Sequence, residues 1–118
     1  MVDRIAWLLL AALHALPGLA FVHPALLTRL YGVTPGEATY LLLQHRAALF
    51  VVIVLLCAAA AFDPQVRRVA VVGTALAMLS FLALYLGGGQ PPNLRTIALA
   101  DGIGLLPLVY VAWRAFAV

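Results

Sequence analysis

Four runs of about twenty mainly apolar residues take up most of this 118-residue chain. That length is what an α-helix needs to cross the hydrocarbon core of a bilayer. The runs cover roughly 4–22, 40–62, 65–86 and 94–116. Hydrophobic residues make up 66% of the chain and charged residues 9%, whereas soluble domains carry about 25% charged residues. A soluble fold of this size could not hide so much apolar surface. The expected fold class is therefore all-α: an integral membrane four-helix transmembrane bundle, forming one transmembrane domain over 1–118.

The connections refine that picture. Asp63-Pro64 reads as a tight turn, with Asp63 as cap and Pro64 as first helical residue, so the second and third spans form a close hairpin. Residues 87–93, GGGQPPN, read as a flexible, non-helical turn. Residues 23–39 form the longest loop. Within it Pro24 opens ALLTRLY, which puts Leu26, Leu27, Leu30 and Tyr31 on one face of a short interfacial helix with Arg29 on the polar side. Gly32 and Pro35-Gly36 end it.

The net charge of +3 comes from seven arginines and no lysine. They are dispersed and are not interleaved with aromatics, so they read as membrane-flanking charge and give no nucleic-acid footprint. Arg4, Arg67, Arg68 and Arg114 fall on one side, and Arg29 and Arg95 on the other, with Arg46 just inside. This bias predicts a multi-pass cell-membrane protein with both termini in the cytoplasm. The N-terminus superficially resembles a secretory signal, but Asp3 cancels the charge of Arg4, and the run is read as a retained first span. Cys57 is the lone cysteine, which excludes an intrachain disulfide, a CxxC redox pair and a cysteine-based metal site.

Asp101 is the polar exception within the fourth span. A carboxylate deep in a membrane is expensive and needs a basic partner, a proton or a watery pocket. His14, His45 and Arg46 are the candidate partners. At a rise of about 1.5 Å per residue, His45 and Arg46 lie roughly 8 Å below the outer end of their span, Asp101 roughly 10 Å and His14 roughly 12 Å. Asp101, Arg46, His45 and His14 are thus expected to form a ligand-binding or structural polar cluster in the outer half. An Asp101–Arg46 ion pair that merely fixes helix register is the alternative. His14 could instead bond a carbonyl near the Pro17 kink.

Small-residue patterns bear on which faces turn inward. Trp7, Ala11, His14, Gly18 and Phe21 follow the 3-4 spacing of a packing seam. Ala98-xxx-Gly102 beside Asp101, and Gly73, Ala77 and Ser80 in the third span, are small-residue stripes that let backbones approach. His14, His45 and Asp101 would suit an N/O metal site, but the fixed charge of Arg46 opposes a cation there. No Ser-His-Asp arrangement and no phosphate-binding glycine loop is present, so no catalytic residue is assigned.

PALLTRLYGVTP after the first span, HRAALF opening the second and a polar residue in the fourth together resemble the DoxX-like group of small four-helix membrane proteins. The resemblance covers the layout of most of the chain, with Pro24, Tyr31, Gly32 and Arg46 as matching positions. It implies a four-helix membrane protein without an assigned activity, in a group some of whose members are linked to quinone-coupled thiosulfate oxidation or to membrane oxidoreductase assemblies. The chain has no haem motif, flavin motif or paired cysteines. Its size and span count also resemble small multidrug transporters, which rely on a glutamate in the first span, where this chain has only Asp3 at the edge.

Three functions follow as expectations. The bundle binds an amphipathic small molecule, a quinone or other lipid, at an outer-leaflet polar pocket. Or it is a structural or accessory subunit, docking a membrane-complex partner or a second copy of itself. Or it is a proton-coupled small transporter that uses Asp101. A conventional soluble-type enzyme is not expected.

Overall fold

The computed structural model describes residues 1–117. It is built from helices: α1 (Val2–Leu19), α2 (Ala25–Tyr31), α3 (Ala38–Phe62), α4 (Arg67–Gly87) and α5 (Arg95–Phe116). Two 3-10 turns, Pro64–Val66 and Pro92–Leu94, lead into α4 and α5. Four of these units are long and apolar enough to cross a bilayer: Val2–Leu19, Ala38–Phe62, Pro64–Gly87 and Pro92–Phe116. They stand antiparallel in the ring order α3, α1, α5, α4, with α1 packed most extensively on α3. One end of the bundle carries the loop around α2 and the turn before α5. The other carries the start of α1, the end of α5 and the α3–α4 hairpin turn.

Local chemistry sets the boundaries. The Asp63 side chain accepts a hydrogen bond from the Gln65 amide at 2.9 Å, and Pro64 occupies a first-turn position that has no amide to satisfy. At the other end of the hairpin region, α2 stops because Gly32 adopts φ 70°, a left-handed conformation that glycine reaches without a Cβ penalty. The turn before α5 departs from expectation: Pro92 and Asn93, expected in a non-helical stretch, enter a 3-10 turn. Proline's fixed φ suits that geometry.

The main core fills the terminal half, where Trp7, Leu10, Cys57, Met78 and Val111 are nearly inaccessible. A smaller cluster of Ala20, Leu27, Tyr31 and Ala47 anchors α2 over the loop end. The inward seam of α1 is the expected one through Trp7, Ala11, His14 and Gly18. Phe21 does not continue it, because α1 ends at Leu19 and Phe21 is exposed. On α5 the glycine at the interface is Gly104, not Gly102. A Cβ on Gly104 would meet the side chains of Leu13 and Met78, whereas one on Gly102 would meet nothing within 4 Å.

Arginines close the terminal face. The last carbonyls of a helix lack partners within the helix. Arg67 Nε donates to the Ala60 carbonyl at 2.7 Å and Arg4 Nε to that of Ala61 at 3.4 Å, completing the end of α3. Asp3 ties three segments together. It accepts from the Tyr110 hydroxyl at 2.7 Å and from Arg114 Nε at 3.2 Å, and it lies 3.6 Å from Arg67. From the sequence, Asp3 offsets the charge of Arg4 and marks the edge of the first span. These pairings are non-local and leave no sequence pattern.

Candidate functional site

The loop-end half of the bundle is organised around Arg46. It lies two turns into α3 on the side facing α2 and α4. Its Nη1 donates to the Tyr31 hydroxyl of α2 at 3.0 Å. The guanidinium carbon stands 4.6 Å from the Phe50 ring centroid, 5.0 Å from that of Phe81 and 5.9 Å from that of Tyr31. A guanidinium over an aromatic face is attracted by the ring quadrupole, more strongly where water is excluded. Three rings from three helices therefore hold this cation in place. Burial pushes the Tyr31 phenol above its ordinary pKa, with the charge and hydrogen bond of Arg46 pulling the other way.

Tyr31 is fixed in turn. Asn93 Nδ2 donates to its carbonyl at 2.9 Å, and the Tyr40 hydroxyl donates to the Pro24 carbonyl at 3.2 Å, pinning the start of α2 to α3. Of these contributors, Phe50 had a detectable signal, since it sits four residues after Arg46 and so on the same helical face. Phe81 had none, because only the tertiary fold brings α4 beside Arg46.

A groove of about 440 Å³ runs between α3 and α4 below Arg46. Phe50, Ile53, Ala77, Phe81 and Leu84 are among its walls, with Ser80 as the other polar side chain. Leu84 is 75% exposed, so the groove opens sideways through the flank of the bundle. Arg46 is thus a polar head above an otherwise apolar slot.

Asp101 faces a different space. It is only 6% exposed and lines a cavity of about 300 Å³ bounded by Leu13, Leu16 and Pro17 of α1, Leu30 of α2, Phe50 of α3 and Ile97 of α5. Phe50 lines both spaces. Asp101 and Arg46 make no contact ion pair: the ion pairs among the described residues centre on Asp3. The charge of Arg46 still reaches Asp101 and His14 electrostatically, but its hydrogen bond goes to Tyr31. Among the described residues the Asp101 carboxylate receives no hydrogen bond.

His14 is 1% exposed. Its Nδ1 donates to the Leu10 carbonyl at 2.9 Å, within its own helix and one turn before the carbonyl that Pro17 leaves free. That bond requires the proton on Nδ1, so Nε2 of the neutral ring is an acceptor. Nε2 is fully buried and has no partner among the described residues. The ring packs against Phe50, with centroids 5.6 Å apart. His45, by contrast, is exposed. Successive helical side chains point about 100° apart, so turning Arg46 inward turns His45 out.

Of the four residues expected in one cluster, Arg46, Asp101 and His14 are arranged around Phe50, and His45 is not. Arg46 heads the groove, Asp101 lines the cavity, His14 is buried behind Phe50, and His45 lies outside. Among the described residues no group of three His, Cys, Asp or Glu side chains could hold a metal ion. Comparison with family models, curated proteins and solved structures finds no match to this chain.

Proposed function

We propose that this chain is a multi-pass membrane protein that holds an amphipathic small molecule, a quinone or other lipid, in the α3–α4 groove with its polar head on Arg46. The observation that carries this reading is the groove itself: an apolar slot of about 440 Å³ with one aromatic-backed guanidinium at its end. Ligand sites are commonly concave, mainly apolar and fitted with a few placed polar groups. Arg46 has five N–H donors in a planar fork, suited to the carbonyl of a quinone or the oxygens of a lipid head. The sideways opening would let such a molecule enter from the acyl-chain region. The arginine bias favours both termini in the cytoplasm, and in that orientation the groove would face the outer leaflet.

The proposed resemblance to the DoxX-like group rests on positions in this same corner of the molecule. Its four matching positions are neighbours here: Pro24 opens α2, Tyr31 and Gly32 close it, and Tyr31 receives the hydrogen bond from Arg46.

The test is native mass spectrometry of gently extracted protein, wild type beside Arg46→Gln. A bound small mass in the wild type that is lost in a folded Arg46→Gln protein is the expected result. A naked monomer in both would sink the reading.

A second reading, a proton-coupled transporter cycling Asp101, is supported by one observation. The carboxylate is not held by a contact ion pair with Arg46, so it is not locked in its charged form. Its test is uptake into proteoliposomes driven by a pH gradient, which Asp101→Asn must abolish.

A further inference from the structure

The cavity beside Asp101 is chemically the opposite of the groove, and its polar group is the less satisfied of the two. Arg46 has a hydrogen-bond acceptor and three aromatic rings around it. Asp101 is 6% exposed and has no donor among the described residues. An ionised carboxylate offers about four lone-pair sites, and leaving such a group buried without partners is strongly unfavourable. The surrounding wall is apolar, contributed by Leu13, Leu16, Leu30 and Ile97, with Thr96 at the rim. Ala12, Leu16 and Thr96 are exposed, so the cavity opens on the α1–α5 flank.

We propose that this cavity is a second, separate binding site, for an amphiphile with an amine head. An ammonium supplies both missing elements at once: a positive charge opposite the carboxylate and up to three N–H donors. A hydroxyl head would hydrogen-bond the carboxyl group without favouring its ionised form, which a facing cation does. An anionic head would place like charges together. The alkyl portion would lie against the leucines of α1 and α2. Arg46 does not line this space, and its guanidinium lies over the Phe50 ring, which does.

The site is tested with full-length protein in phosphatidylcholine nanodiscs, titrated with a dansyl-labelled long-chain primary amine against empty discs. Wild type is expected to bind saturably. Asp101→Asn should weaken binding by at least about tenfold, the equivalent of about 1.4 kcal/mol. The same chain bearing a carboxylate should show no Asp101-dependent binding. Ala12→Trp decides the matter should Asp101→Asn fail to fold: residue 12 is exposed, so the larger side chain can be accommodated while filling the mouth, and amine binding should fall. Absence of saturable binding to wild type overturns the proposal. So does unchanged binding in a folded Asp101→Asn protein, or in Ala12→Trp.

Discussion

Arg46 and Tyr31 join two helices through one charged hydrogen bond, 3.0 Å long, from a guanidinium nitrogen to a buried phenolic oxygen. Hydrogen bonds to charged groups contribute about 1.5–3 kcal/mol. Tyr31→Phe keeps the ring beneath the guanidinium and removes only the oxygen. The variant should lose about 1–2 kcal/mol of stability, read as a lower midpoint of denaturant unfolding in detergent. Hydrogen exchange across residues 25–31 should rise with it. An unchanged midpoint would mean that the aromatic contacts alone hold Arg46.

Gly104 and Gly102 should respond oppositely to alanine. At Gly104 the new methyl would sit 2.8 Å from Met78 Cε and against the Leu13 side chain. Overpacking of this kind costs about 1–3 kcal/mol. At Gly102 it would meet nothing within 4 Å, and alanine in a helix gains about 0.5–1 kcal/mol over glycine. Thermal melts of the two variants side by side should bracket the wild type. The reverse order would place the wrong face of α5 inward.

The unpartnered Nε2 of His14 makes a prediction of its own. An unsatisfied buried acceptor costs about 1–3 kcal/mol, and the bond from Nδ1 to Leu10 returns about 1 kcal/mol. His14→Leu removes both and keeps a similar volume, so stability should be unchanged or rise by up to about 2 kcal/mol. A clear loss, measured by denaturant unfolding, would reveal a water or ligand proton bound at Nε2.

Cys57 is fully buried, 3.4 Å from the Thr74 hydroxyl. Thiolate formation and access control cysteine reactivity. Maleimide labelling should therefore be negligible in the folded protein and should track unfolding as denaturant is added. Prompt labelling under native conditions would contradict the packing of α3 on α4.

Much of this architecture was legible from residue type and spacing. The four long helices follow from the apolar runs, and the hairpin turn from Asp63-Pro64. The end of α2 follows from Gly32. Helix rise alone put Arg46, Asp101 and His14 at a common level. Their separation into different spaces was not legible, for a physical reason. In a soluble helix the polar face marks the outside. Here both faces of every long helix are apolar, so nothing in the pattern of α5 distinguishes Gly104, at the interface, from Gly102, away from it. Alanine-rich stripes mislead in the same way. Phe81 meets Arg46, and Asp3 meets Arg114, only because the chain returns to the same level from the opposite direction.

The α3–α4 hairpin is pinned near its turn by Arg67 on the Ala60 carbonyl and by Cys57 against Thr74, while the groove lies between its farther arms. The two rods are thereby tied at the turn end, and side chains that line no part of the slot hold its two walls in register.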